Sequence, residues 1–418
     1  MNKKVIYGIV AVVLCIVLYS MCGGSSKVGY WDKNKILAGC DNVIEQEEQP
    51  QKVMVVLETS MSMQAYYNKS VNKGITNTIS RFKALGDSSV ICIEKDSKLT
   101  EIDGDAFVAD VIAKTKFGGS TTTIHKFIET AIDTVKSGKV DIICYVTDGI
   151  MSVDNHSDQS LKLTELRQQI ERLCGKGKDS VAAAIFRYVG DFSGIYYYAD
   201  PQPGHKSVEL TNTTRPYYVI VFGKPGALRW LAANKTSADL NGYEACLFMG
   251  MYDYSGNNGL ALDSAKMENY VKYRDKENTI QVSIQFANKN TSLSYLNTCG
   301  ILTAESVELW NDDKKAVVDS QLYEVTINNG CLNIKFNDNN VQSIGNSPLN
   351  LSLRMKNTIP GNWQDGYCSE DDRNIKKGDP VVVDQETTFG LAYLVQGMYE
   401  ALQSEPYVFN IPFKINYK

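Results

Sequence analysis

Three short oxygen-rich stretches carry the chemistry that this chain could perform. The first, E-T-S-M-S, sets Glu58, Ser60 and Ser62 directly behind the apolar run K-V-M-V-V-L. The second, G-G-S-T-T-T over 118–123, places Thr121 just ahead of a helical stripe that starts at Ile124. The third, Y-V-T-D-G, closes another apolar run at Asp148. Together they offer carboxylate and hydroxyl oxygens without a thiolate or an imidazole, the donor set preferred by a hard divalent cation: Mg2+ first, with Mn2+ or Ca2+ as alternatives. The same residue types are also the commonest helix N-caps, so each has a purely structural reading as well: satisfying free N–H groups where a strand turns into a helix. Signatures of other chemistries are missing. There is no HExxH, GxSxG or Walker A pattern, and His125, His156 and His205 without any CxxC do not form a zinc site of normal spacing.

The elements that must position these oxygens can be read from hydrophobic periodicity. K-V-M-V-V-L-E, S-V-I-C-I-E, V-D-I-I-C-Y-V-T-D, S-V-A-A-A-I-F-R-Y-V and R-P-Y-Y-V-I-V-F-G read as strands. Between them, Val71, Ile75, Ile79 and Phe82, then Ile124, Phe127, Ile128, Ala131, Ile132 and Val135, then Leu163, Leu166, Ile170 and Leu173 recur at helical spacing. Strands that are apolar throughout and alternate with helices predict a doubly wound, mostly parallel α/β sheet covered on both faces. A tyrosine-rich insertion near 190–214 interrupts this rhythm as a hairpin or long loop. Past about 240 the pattern changes to period two, which predicts a β-rich, sandwich-like domain over 241–418 with one helix, where Leu391, Leu394, Val395, Met398 and Leu402 share a face. The α/β domain accordingly spans 51–240. In such a sheet ligands gather outside the carboxyl ends of the strands, where all three oxygen-rich stretches fall.

The order E-x-S-x-S, G-G-S-T and T-D-G, each at a strand-to-helix junction, resembles the von Willebrand factor type A domain and its metal-ion-dependent adhesion site. The resemblance covers roughly 51–236, less than half the chain. It implies that Ser60, Ser62 and Thr121 hold a cation directly, with Glu58 and Asp148 acting through water. Thr121 is chosen over its two neighbours because its spacing to Phe127 matches the family pattern. Where the family usually has Asp, this chain has Glu58, longer by one methylene. The resemblance further implies binding of another protein, one of whose acidic side chains completes the metal shell. A metal-free structural or assembly module of a cell-envelope complex is the alternative. A metal-assisted hydrolase ranks below both, because hydroxyl-rich ligation of a single ion suits holding a carboxylate better than making hydroxide.

The chain has 418 residues, is 43% hydrophobic and 22% charged, and carries a formal net charge of −5. With no basic block either, nucleic acid is not an expected partner. Lys3 and Lys4 precede an uncharged apolar run from Val5 to Cys22, the form of a signal-anchor or of a bacterial lipoprotein signal with Cys22 as the lipidated residue. Met21 stands where the lipoprotein pattern wants a small residue, which favours the signal-anchor. A polar tether over 23–50 follows, and the lysines place the bulk of the chain on the extracytoplasmic side. Of the ten cysteines, Cys92 and Cys144 sit in runs that read as buried central strands and are expected to be free thiols. The full chain is expected to partition with membranes, and removal of residues 1–26 to release it. Palmitate incorporation at Cys22 would mark the lipoprotein route and an intact Met1 the signal-anchor, whereas a full-length protein free in the cytosol would overturn both.

Overall fold

The computed structural model describes residues 29–30 and most of 48–415; the segments outside this description include 1–28, 31–47, 103–107, 119–123, 152–158, 252–261, 271–278, 287–305 and 370–385. The expected membrane segment, Cys22 and Thr121 therefore lie outside the described residues. Among those described, no helix is long and apolar enough to cross a membrane.

After the two-residue strand β1 (Gly29–Tyr30), the chain builds a seven-stranded sheet from β2 (Lys52–Glu58), β3 (Ser88–Lys95), β4 (Lys98–Ile102), β5 (Ile142–Thr147), β6 (Ala182–Gln202), β7 (His205–Gly223) and β8 (Tyr243–Met249). Their spatial order is β4-β3-β2-β5-β7-β6-β8. Every residue of β5 is buried, as its unbroken apolar sequence requires of a central strand. Helices α1 (Lys73–Lys83), α2 (Val108–Lys114), α3 (Ile124–Lys136), α4 (Gln159–Gly175) and α5 (Pro225–Ala233) lie between the strands. They reach both faces of the sheet. Phe82 of α1 meets Phe186 edge-on at 5.5 Å on one face, and Phe127 of α3 stacks on Tyr145 at 4.0 Å on the other.

The sheet is mixed rather than mostly parallel. β2 runs parallel to β3 and to β5, but β4, β7 and β8 each run antiparallel to their neighbours. The physical reason lies in the hairpin. β6 and β7 are joined at Gln202 and His205, and β7 folds back to occupy the place beside β5 that a crossover strand would take. The tyrosine-rich insertion is thus continuous with both strands. Nor does the sheet end near 240, because β8 pairs with β6 from Ala183–Met249 to Tyr188–Tyr243.

The later part of the chain supplies β9 (Leu262–Tyr270), β10 (Thr279–Phe286), β11 (Val307–Asn311), β12 (Ala316–Val317), β13 (Glu324–Asn328), β14 (Cys331–Asn337), β15 (Leu349–Lys356), β16 (Cys368–Ser369), β17 (Thr388–Phe389) and β18 (Tyr407–Ile415). They form two antiparallel sheets, β1-β18-β15-β11-β12 and β13-β14-β10-β9, and a short parallel pair of β16 with β17. The predicted helix is α6 (Leu391–Leu402), with all five predicted face residues buried. It lies against α4, and Arg167 grips both oxygens of Glu400 at 2.9 Å. Gly397 lets the helices approach closely, because a Cβ there would lie 2.7 Å from the Arg167 carbonyl oxygen. Gly397→Ala should push α6 off α4 and cost about 1–3 kcal/mol, read as a lower denaturant midpoint. An unchanged midpoint would show that the crossing can yield.

Candidate functional site

The site lies at the carboxyl ends of β3, β2 and β5, and the register explains its composition. Glu58 stands opposite Glu94 in the β2–β3 ladder, while Val56 stands opposite Tyr145 in the β2–β5 ladder. Side chains alternate along a strand, so Glu58, Glu94 and Tyr145 share one face of the sheet. All three are buried, Glu58 at 1% exposure and Glu94 at 7%. Like charges directly opposite each other oppose pairing, and burying each carboxylate adds a desolvation cost. The Tyr145 hydroxyl reaches Glu94 Oε2 at 3.5 Å. Burial first, and then the charges of Glu58, Glu94 and Asp148, push its phenol well above the usual range.

Past Glu58 the chain is latched before it turns. The Thr59 N–H and hydroxyl both donate to the Glu94 carbonyl oxygen, at 3.3 and 2.8 Å, and the Thr59 carbonyl accepts from the Gly118 N–H at 3.1 Å. The start of the G-G-S-T-T-T stretch is thereby held against the rim. Ser60 and Ser62 then share a hydrogen bond of 2.9 Å between their hydroxyls. Ser62 heads the 3-10 turn Met63–Ala65, yet its side chain makes no capping bond there. The N-cap explanation therefore does not account for Ser62.

Asp148 completes the rim from β5. Gly149 takes a positive φ of 71°, with its Cα face against the Tyr218 ring, where an added Cβ would lie 2.7 Å from the ring edge. Only glycine suits that turn. It folds the chain so that Ile150 donates its N–H to Asp148 Oδ1 at 3.1 Å and Gly149 donates its N–H to the Thr147 hydroxyl at 2.9 Å. Asp148 is 3% exposed, and its Oδ2 has no hydrogen-bond partner among the described residues. Burial raises the Asp148 carboxyl above the usual carboxylate range, against the pull of the Ser62 hydroxyl, the Ile150 N–H and the buried guanidinium of Arg215. Arg215 is itself fixed over the Tyr196 ring at 4.1 Å.

Four of the five expected site residues, Glu58, Ser60, Ser62 and Asp148, are thus placed on one rim, and the fifth, Thr121, lies outside the described residues. Sequence reasoning missed Glu94, Thr59, Tyr145 and Arg215. Glu94 had a visible signal, since S-V-I-C-I-E ends on a glutamate just as K-V-M-V-V-L-E does. Arg215 had none, because its place depends on the hairpin. No three Asp, Glu, His or Cys side chains converge as a metal-holding group among the described residues, so a cation here would depend on hydroxyl ligands. The oxygen donors on offer are the Ser60 and Ser62 hydroxyls and Asp148 Oδ2, which has no hydrogen-bond partner among the described residues. Cys92 and Cys144 are free and buried, as expected, and burial lifts the Cys92 thiol to about 11.

Comparison of the chain with family models, with curated proteins and with solved structures gives no match.

A raised carboxyl pKa stabilises the fold while the group is protonated, and that contribution is lost as pH rises through the folded-state value. Asp148→Asn keeps the shape and removes the charge. In chelator its melting temperature should exceed that of the wild type near neutral pH, and the difference should vanish below about pH 4, where the carboxyl is protonated in both folded and unfolded chains. A variant less stable than wild type at neutral pH would show that the buried charge is already compensated within the protein.

Proposed function

We propose that the rim formed by Glu58, Ser60, Ser62 and Asp148 holds a divalent cation, Mg2+ first among the candidates, and that the protein binds an acidic side chain of another protein through it. One observation carries the reading. A buried carboxylate oxygen with no hydrogen-bond partner among the described residues, Asp148 Oδ2, lies on the same rim as a pair of hydroxyls of which Ser62 caps nothing. Ser60 and Ser62, joined by Thr121, are the residues that would touch the ion; Glu58 and Asp148 would supply negative charge behind them. The ion would contribute positive charge and an open coordination place for a carboxylate.

A type A arrangement is proposed for the β3-β2-β5 half of the sheet and its rim, supported by parallel strands that end in oxygen donors in the family's order. The antiparallel half beyond β5 stands apart from that resemblance. The two later sheets are proposed to pack as a sandwich that acts as spacer or second contact. The N-terminal segment is proposed as a membrane tether, with the bulk of the chain extracytoplasmic.

A native-state ligand at about a hundredfold above its Kd adds roughly 2.7 kcal/mol to stability, so saturating Mg2+, Mn2+ or Ca2+ should raise the melting temperature visibly. Ser60→Ala combined with Ser62→Ala should abolish the rise while the metal-free protein stays folded. Glu58→Asp, which restores the family's usual residue, should bind the ion as tightly or more tightly. Calorimetry in which neither wild type nor Glu58→Asp takes up any of the three ions would reject the cation and leave the metal-free module.

A further inference from the structure

The β6–β7 hairpin does more than fill the sheet. β5 pairs with β7 only from Ile142–Gly223 to Thr147–Tyr218, and β8 pairs with β6 only as far as Tyr188. Beyond those points the β6–β7 ladder continues from Val189–Pro216 to Gln202–His205 with no third strand beside it among the described residues. Both β5 and β6 run antiparallel to β7, so this two-stranded ribbon rises past the carboxyl end of β5, on the side of the candidate site. It is tied to the rim rather than free. Tyr66 donates to the Pro216 carbonyl oxygen at 2.5 Å and meets Phe192 edge-on at 4.9 Å, and Asn68 donates to the Ser193 carbonyl oxygen at 3.0 Å.

Between ribbon and rim lies a cleft of about 490 Å3. Its walls are the segment from Met61 to Asn68, the end of α2 with Phe117, and Ser193 to Ile195 of the ribbon, and among the described residues that line it none is charged. Met61 and Ile195, two of the few exposed large apolar side chains, stand on opposite walls at 41% and 45% exposure. Met61 sits between Ser60 and Ser62 in the chain, so one wall of the cleft is continuous in sequence with the proposed cation residues. Tyr67 joins the two places. Its ring lines the cleft and stacks on Phe117 at 5.0 Å, while its phenol, raised first by burial and then by Glu58, Tyr217 and Asp148, lies in the field of the rim carboxylates.

We propose that this cleft takes the uncharged, apolar side-chain stretch that flanks the acidic residue of a partner peptide, so that the partner is recognised as an acid beside an apolar residue. The inference rests on the cation reading. Charge complementarity and exposed apolar surface select this occupant: a cation demands the acid, and the exposed Met61 and Ile195 side chains beside Phe117 favour an apolar neighbour over a second charge that must shed its water. Gln64, Asn68 and Thr115 supply amides and a hydroxyl suited to peptide backbone, and Met61, Phe117 and Ile195 supply the apolar contact.

The test is selection of random seven-residue peptides displayed on phage against the detergent-solubilised full chain, in Mg2+ and in chelator, alongside Mg2+ calorimetry. The expected result is Mg2+-dependent enrichment of peptides carrying Asp or Glu near Leu, Ile, Met or Phe. Synthetic copies should bind about tenfold more weakly to Ile195→Ser, with Mg2+ uptake by that variant unchanged. Should Ile195→Ser disturb Mg2+ uptake, Gln64→Ala takes its place in the same comparison. Mg2+ uptake without enrichment, or enriched acidic peptides lacking an apolar neighbour or indifferent to both substitutions, overturns the cleft and spares the cation. Peptides that bind equally in chelator overturn the proposal by showing a cleft ligand independent of the rim. Absence of Mg2+ uptake removes the cation reading, and this inference with it.

Discussion

Taking a carboxylate out of water is expensive unless its charge is shared, and this protein buries three where adjacent strands end: Glu94, Glu58 and Asp148. Much of the local architecture serves that constraint. Thr59 stitches the backbone after Glu58 to the carbonyl of Glu94, the turn at Gly149 turns a backbone N–H onto Asp148, and Arg215 brings a buried positive charge to the same carboxyl. These contacts reduce the cost without removing it, since the Asp148 carboxyl is still raised and one of its oxygens has no partner among the described residues.

The hairpin links this electrostatic centre to the shape of the molecule. By folding β7 between β5 and β6 it converts half the sheet to antiparallel pairing, and by outrunning its neighbours it carries Arg215, Phe192 and Tyr196 up to the rim. The aromatic contacts of Tyr66 with Phe192 and Tyr217 make the turn after Ser62 and the base of the ribbon one packed unit. Rim and cleft wall are therefore neighbours along one segment, with Ser60 and Ser62 on the rim and Met61, Gln64, Ala65, Tyr67 and Asn68 in the wall.

The far end of the chain returns to the first sheet. Arg187 of β6 is buried between Glu244, the Glu386 carbonyl and the Tyr367 ring, and the Tyr218 hydroxyl bonds with that of Thr388 at 2.9 Å. Met151, three residues past Asp148, donates its N–H to the Phe389 carbonyl at 3.2 Å. The loop that carries the rim carboxylate thus rests on residues more than 200 positions away, and α6 covers α4 from the same segment.

Local patterning determined a good deal. The boundaries of β2, the buried stripe of α3, the apolar course of β5, the face of α6 and the placing of Glu58, Ser60, Ser62 and Asp148 at strand ends all follow from periodicity and composition, because burial on one or both faces leaves a signal within a few residues. Neighbour choice leaves no such signal. That β7 would lie beside β5 in place of a crossover strand, that β8 would extend the sheet past 240, and that Glu94 would face Glu58 were settled only in three dimensions, since strand order and register depend on contacts between residues far apart in sequence. The same holds for the cleft, whose walls come from 61–68, 112–117 and 193–195: each stretch is unremarkable alone, and the space between them exists only once the ribbon has folded against the rim.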